Sequence, residues 1–449
     1  MTDLLGIGAS GVRAYQTAIS TTSENIANAG TAGYVRRTTD MREVASASRS
    51  YNGLAPVVGS GVVVKGLARE SDELRQTAVR NAGADLARSE TAVTWLDQIE
   101  QALTRSGLST ALTGFFNATK AIAADPSASA PRLAMLDSAA GLADAFRGTA
   151  SQLTQLASDL DATAGNAVTT LNDLAAGLAR INDGLSRATP GSTGAAQLLD
   201  QRDQVLEQMS ALSDINVTMD VAGRATVKLG NAGGPVFVAP GVDSGKVVYS
   251  RGADGTVSYG MVRNGAVQSV SPSGGALAGI SDSAQRLAAA TDEVNRIAAD
   301  LVDGVNAVQA AGEDLDGHAG AAMFGIGDGA ASIAVTLTDP RGIAAAAPGG
   351  GTRDNTNLAG FDALRASGGA EGAVTGLVAE NGAALSSRKT VVAAQTSIHD
   401  GAIAARDQMS GVNLDSEAVD LMRYQQAYQA SSRVIQVARE IFQSILNVS

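Results

Sequence analysis

The 449-residue chain has no cysteine, which excludes a disulfide framework, thiolate metal sites and thiol catalysis. Its two histidines, His318 and His399, stand far apart, each without the neighbours that a zinc site or a catalytic triad needs. Aromatic residues make up only 3%, so the cores must be thin and built from Ala and Leu. None of the nine prolines lies before Pro56 or after Pro348, which leaves both ends free of the commonest helix breaker. No apolar run approaches the roughly 20 residues of a membrane helix, and no basic stretch with an apolar segment behind it opens the chain. We therefore expect no membrane insertion and no cleaved secretory signal. A net charge of −12 gives nucleic-acid binding no electrostatic footprint. His-Glu-x-x-His, Walker, Gly-x-Ser-x-Gly and Rossmann patterns are all missing, so no enzyme class is indicated and no cofactor is expected.

What is present is a seven-residue apolar repeat at each end. Leu5, Val12, Ile19 and Ile26 recur every seven residues, with Tyr15 and Thr22 between them. Leu414, Leu421, Tyr428, Ile435 and Phe442 do the same, interleaved with Tyr424, Ala438 and Ile445. Such repeats wind helices into a coiled-coil seam, so the two ends are expected to pair. Residues 1–90 hold ten Lys/Arg and nine Asp/Glu, and residues 411–449 hold three and four. The acidity thus belongs to the middle, and near-neutral ends can pack on identical ends without strong repulsion.

Between the ends the period changes twice. Residues 4–28 read as an amphipathic helix stopped at Asn28-Ala29-Gly30. A β-rich connector with a turn at Thr31–Tyr34 follows to residue 69. Helix then runs over 70–123 with a break near Gly107, over 132–187 as the longest periodic stretch, and over about 195–213. Ile215, Val217, Met219 and Val221 alternate with polar residues and open a small all-β region over 214–272. Helix returns at about 281–311 and again from about 371, with one strand candidate at Ser332–Thr338. The expected fold is mainly α with a β insertion: paired terminal helices, an elongated helical-bundle rod and a small all-β outer domain. Its expected divisions are 1–45 with 411–449, a connector at 46–69, a discontinuous rod of 70–213 with 280–410, and an outer domain of 214–279.

Few residues invite chemistry. Glu313, Asp314 and Asp316 cluster beside Gly317 as the best metal candidates, although the spacing and closing Glu of an EF-hand are missing; a solvated acidic loop is the plainer reading. Gly325 to Gly329 reads as a loop without phosphate-binding context. Arg36-Arg37 reads as a solvated pair, with a subunit contact as the alternative.

Two segments carry a resemblance. Ser23-Glu24-Asn25-Ile26-Ala27-Asn28, a short spacer, and Gly33-Tyr34-Val35-Arg36 resemble the N-terminal signature of the bacterial flagellar axial proteins of rod and hook. Gly411-Val412-Asn413-Leu414-Asp415, then Leu421, Tyr424-Gln425-Gln426 and Tyr428-Gln429-Ala430, resemble their C-terminal signature. Leu198-Leu199-Asp200-Gln201-Arg202-Asp203, Gly274 to Gly279, and Gly312 to Leu315 with Phe324 are similar to the hook-associated branch of that family. The segment from about 325 to 355 is short where longer relatives carry a further outer domain. Asn25, Asn28, Gly33, Tyr34, Asn413 and Leu414 are the family-motif positions.

The resemblance implies a non-catalytic structural subunit of the flagellum, at the junction of hook and filament. It implies passage, unfolded, through the flagellar type III export apparatus with an export chaperone. The implied partners are copies of itself, the hook protein and a second junction protein, and the implied location is extracellular after a cytoplasmic start. A hook or distal-rod subunit is the alternative, and a secreted enzyme or binding protein a more distant one. On physical grounds isolated terminal helices are marginal, so we expect them to order on assembly. Helices of about 25 and 35 residues span roughly 37 and 52 Å, so the C-terminal helix should overhang its partner.

Overall fold

The computed structural model describes residues 2–44, 60–366 and 369–448. The chain opens with α1 (Thr2–Ala27), followed by strands β1 (Arg37–Glu43) and β2 (Val62–Arg69). The body starts with α2 (Glu73–Arg105), α3 (Leu108–Ala124), α4 (Ser129–Arg187) and α5 (Thr193–Leu212). Six strands come next: β3 (Ile215–Met219), β4 (Ala225–Leu229), β5 (Val236–Val238), β6 (Lys246–Arg251), β7 (Val257–Arg263) and β8 (Ala266–Val270). Helix α6 (Gly275–Ala311) leads into a lobe holding β9 (Phe324–Gly325) and β10 (Ala334–Val335). The chain ends with α7 (Ala359–Ala366), α8 (Ala370–Ser410) and α9 (Leu414–Val448).

The body is a helical rod. At 59 residues α4 is its longest member, roughly 88 Å at 1.5 Å per residue. A stripe of small and branched side chains (Leu153, Leu160, Ala164, Leu171, Ala175, Leu178) is fully buried along it, as an amphipathic helix demands. Helices α2 and α8 run antiparallel, tied by the Asn381 amide donating to the Leu96 carbonyl at 3.0 Å and by Arg75 donating to the Ala405 carbonyl. Four of the seven phenylalanines form one aromatic cluster, where Phe115 meets Phe116, Phe324 and Phe361 edge to face or tilted.

The alternating segment folds as two three-stranded antiparallel sheets, β3-β4-β5 and β6-β7-β8. Both dock on α4 through asparagines that act as a borrowed strand edge. Asn172 donates to and accepts from the Val247 backbone at 2.9 and 2.7 Å, and Asn182 does the same with Ala225 at 2.9 and 2.9 Å. Each buried backbone pair is thereby satisfied without a further strand. Inward residues Val227, Phe237, Val247, Tyr259 and Met261 complete the core.

Two readings need correction. Helix α6 starts six residues before the periodic stretch that signals it, because its first turn is glycine-rich and carries little period. The strand candidate at 332–338 pairs over two residues only, Ala334 with Gly325 and Val335 with Phe324. In the β-rich connector region, β1 and β2 form an antiparallel ladder from Arg37–Arg69 to Glu43–Val62, with a bulge after Asp40. The rest of the connector, 45–59, lies outside the described residues.

Candidate assembly site at the base of the terminal helices

Helices α1 and α9 pair antiparallel, with Asn25 beside Glu417, Tyr15 against Tyr424 at 6.4 Å between ring centroids, and Gly8 against Ile435. The contact is closest where the heptad has its smallest residues. A Cβ on Gly8 would stand 2.7 Å from Ile435 Cγ1, and one on Gly11 2.7 Å from Ser431 Oγ, so a larger residue forces the backbones apart. Gly8, Gly11, Ala14, Ala18, Thr21, Thr22 and Asn25 are the buried positions of α1. Leu5, Val12, Tyr15, Ile19 and Ile26 are half-buried along the rim of that contact. On α9, Leu421, Tyr424, Tyr428 and Ile435 are half-buried toward α1, whereas Leu414, Phe442 and Ile445 are exposed at 50% or more. The last two lie on the part of α9 that runs past the start of α1.

At its base the pair is fixed by a polar node that includes two of the six motif residues, Asn25 and Tyr34. Asn25 is 1% exposed. Its amide donates to the Arg37 carbonyl at 2.8 Å and to Glu417 Oε2 at 3.0 Å. Its carbonyl accepts from the Arg37 backbone N–H at 3.1 Å and from the Tyr34 hydroxyl at 2.8 Å. One side chain thus joins α1, the 28–37 turn and α9, and only a group with both donors and an acceptor serves there. Asn28 donates back to the Glu24 carbonyl at 2.9 Å and ends α1. Gly33 holds a left-handed φ of 74°, and the Gln204 side chain covers the space a Cβ would need. Asn413 Oδ1 caps α9 by accepting from the Ser416 N–H at 3.1 Å.

Arg36 and Arg37, read as a solvated pair, turn in opposite directions and rivet the terminal pair to the body. Arg36 donates to Glu417 at 2.6 Å and reaches Asp420 at 3.4 Å. Burial alone would lower its pKa; the Glu417 hydrogen bond and charge outweigh that and raise it. Arg37, 3% exposed, pairs with Asp200 of α5 at 2.7 Å and lies over the Tyr34 ring at 4.7 Å. Burial pushes the Tyr34 phenol up, against the opposing Arg37 charge. From β2, Arg69 bridges Asp200 and Asp203 at 2.8 Å each, and Gln76 of α2 donates to Asp203 at 3.0 Å. The Asp200–Asp203 segment, noticed only as a family likeness, therefore supplies the body's half of the joint. The signal that could have found it is the pairing of two buried acids at i and i+3 with two arginines in the preceding strands; distance in sequence hid it.

The metal candidates separate. Glu313 accepts from the Gly349 N–H, Asp314 accepts from the backbone of Asp316 and His318, and Asp316 pairs with Arg341. Each carboxylate is committed to a different partner, and among the described residues no group of three or more His, Asp or Glu converges. Among these residues no helix is long and apolar enough to cross a membrane.

A rod-like helical body, two small sheets docked on its longest helix, and terminal helices paired and riveted at one end define an elongated structural subunit with no assembled catalytic constellation among the described residues. The model of the flagellar hook-associated protein FlgK helical domain matches residues 96–324, just over half of the chain. The chain belongs to the FlgK hook-associated protein family. The C-terminal model of the flagellar basal body rod proteins FlgEFG matches residues 405–448. Flagellar hook-associated protein 1 of Salmonella typhimurium is 25% identical over 235 residues, 51% of this chain and 42% of its own length. Its Escherichia coli namesake is 24% identical over a stretch of the same size. The match thus spans less than half of these relatives. The solved flagellar hook junction protein FlgK of Burkholderia pseudomallei superposes with a TM-score of 0.65 at 15% identity, over 73% of this chain and 99% of that one, which shows a common fold.

Proposed function

We propose that this chain is a structural subunit of the bacterial flagellum, exported unfolded and built into the junction between hook and filament, and that it catalyses nothing. The observation that carries the reading is the node at Asn25, Arg36, Arg37 and Glu417. It joins a helix pair with a largely uncovered C-terminal helix to the helical body, an arrangement suited to packing in an array. In this reading the terminal region (1–45 with 411–449) forms the inner layer, the rod (70–213 with 280–410) the next, and the sheets (214–279) face outward, with 46–69 as connector. Copies of itself, the hook protein and a second junction protein are its partners in the array. A chaperone and the export apparatus handle it in the cytoplasm, before it takes its extracellular place.

Gold labelling of the tagged chain on intact flagella tests the location: label confined to the hook–filament boundary is expected, and label along the hook or rod overturns it. Deleting 411–449 should leave a folded body that no longer enters the flagellum. The match of 405–448 to rod-family proteins supports a second reading, a hook or distal-rod subunit. Long tubes of the purified chain would favour that reading, whereas a junction subunit stops after a short zone.

A further inference from the structure

Two covalent links join the terminal pair to the rod: the 28–36 segment, and the 411–413 linker between α8 and α9. Neither is regular. The exposed 29–33 turn meets the rod at Gln204, whose amide donates to the Ala32 carbonyl at 2.6 Å. Links of this kind keep two bodies together without fixing a direction between them. The β1–β2 ladder differs, because it is held at two separated points on each side. On the rod, Arg37 and Arg69 grip Asp200 and Asp203. Roughly 10 Å further along the strand, β2 rests on the turn between α4 and α5. There the Leu67 N–H donates to the Gly191 carbonyl at 2.7 Å. Gly66 and Gly191, at φ 156° and 76°, meet backbone to backbone. A Cβ on Gly66 would stand 2.9 Å from Gly191 Cα, about 1 Å inside ordinary carbon contact.

The same ladder lies along α1. Thr39 Oγ1 donates to Thr21 Oγ1 at 3.3 Å, and the Val62 N–H donates to Ser10 Oγ at 3.1 Å. Thr21 and Ser10 are roughly 17 Å apart along the helix. A bulge at Lys65, between the pairs Asp40–Gly66 and Met41–Val64, bends the ladder between its lower and upper holds. We infer that the β1–β2 ladder is a splint: it sets the direction of the terminal pair relative to the rod, and the 29–33 turn carries no load. One contact leaves two bodies free to turn about it, whereas two on each side define a direction. The node at Asn25 and Glu417 holds α1 to α9; the splint, seated on Gly191, holds both to the rod. The inference concerns the single chain in solution, so it stands or falls without the junction reading.

The chain has no cysteine, so two engineered thiols carry spin labels alone. Gln16 on α1 and Asp173 on α4 are both exposed. Pulsed dipolar spectroscopy of the full chain with Gln16→Cys and Asp173→Cys should give one narrow distance distribution. Leu67→Pro removes the N–H that Gly191 accepts and sets a ring in its place. Gly61→Val drives a side chain into Ser10 at the upper end and leaves the rod untouched. Each should broaden the distribution about twofold or more, with circular dichroism and Trp95 fluorescence at the parent level. Gln204→Ala should leave it unchanged. A broad distribution in the parent chain, no change in either ladder variant, or equal broadening by Gln204→Ala overturns the inference. If Leu67→Pro unsettles the rod, Gly61→Val decides by itself.

Discussion

Replacing Asn25 by alanine removes four hydrogen bonds from a side chain that is 1% exposed. The Arg37 N–H and C=O lose their partner, as do one Glu417 oxygen and the Tyr34 hydroxyl. Each buried orphan costs about 1–3 kcal/mol. Water can reach Tyr34 and part of Glu417's surroundings through the exposed 29–33 turn, so the two backbone groups dominate. The net loss is about 3 kcal/mol, and it falls on the docking of the terminal helices, because the node's contacts with the rod, the Arg37–Asp200 pair and the Arg36 N–H on the Ser410 carbonyl, are not made by Asn25 itself. Trp95, the single tryptophan, lies buried in α2 within the rod. Urea titrations should therefore separate. The tryptophan fluorescence midpoint of Asn25→Ala stays near wild type, while far-UV circular dichroism gains an early phase from α1 and α9. Asn25→Asp keeps the shape but places a carboxylate against Glu417 and the Arg37 carbonyl, and should shift that phase at least as far. If both variants melt in one transition with the tryptophan, or show no early phase, the node does not hold the terminal pair.

Three further outcomes follow from the same geometry. Asp200→Ala leaves Arg37 and Arg69 without a shared carboxylate in a buried site and should cost about 3–5 kcal/mol, seen as faster hydrogen exchange in β1 and β2. Gly11→Leu overfills the contact with Ser431 and should weaken α1–α9 pairing by about 1–3 kcal/mol, read as proteolysis of α9 with the body intact. Burial pushes the Glu371 carboxyl up, but hydrogen bonds from Arg365 and Thr113 outweigh it and hold the group below the usual carboxylate range. Its contribution is therefore present above the ordinary carboxylate pKa and lost as pH falls through the lowered value. Glu371→Gln should flatten the acid limb of the melting-temperature profile without steepening the neutral one.

Much of the fold was legible because its signals are local. Period 3.6 in α4, alternation in β3 and β4, and the glycine break before α3 each act within a few residues, where backbone sterics and amphipathicity decide the outcome. The heptads at the two ends also told truly that helices form there, and their repeat told that they pair. Within one copy the closest approach falls elsewhere on the same helix: Gly8, Gly11 and Ala18 are buried and Leu5, Val12 and Ile19 half-buried, because close backbone approach favours the smallest side chains. The motif residues Asn25, Gly33 and Tyr34 could be recognised, but not explained. Their partners, Arg37 twelve positions on and Glu417 some 392 positions away, are not encoded by any spacing.

The sequence by itself determined the material of this protein: cysteine-free, aromatic-poor, helix-rich, with near-neutral, heptad-bearing ends and an alternating insert. Only the tertiary structure decided what its charges do. Arg36 and Arg37 are adjacent in the chain and would be interchangeable in an exposed strand. Their opposite alternation at the entry to β1 sends one guanidinium to α9 and the other to α5, so the joint between terminal helices and rod is made by two neighbours facing apart. That division follows from the pleat of a strand held between two bodies, and it exists only once both bodies are in place.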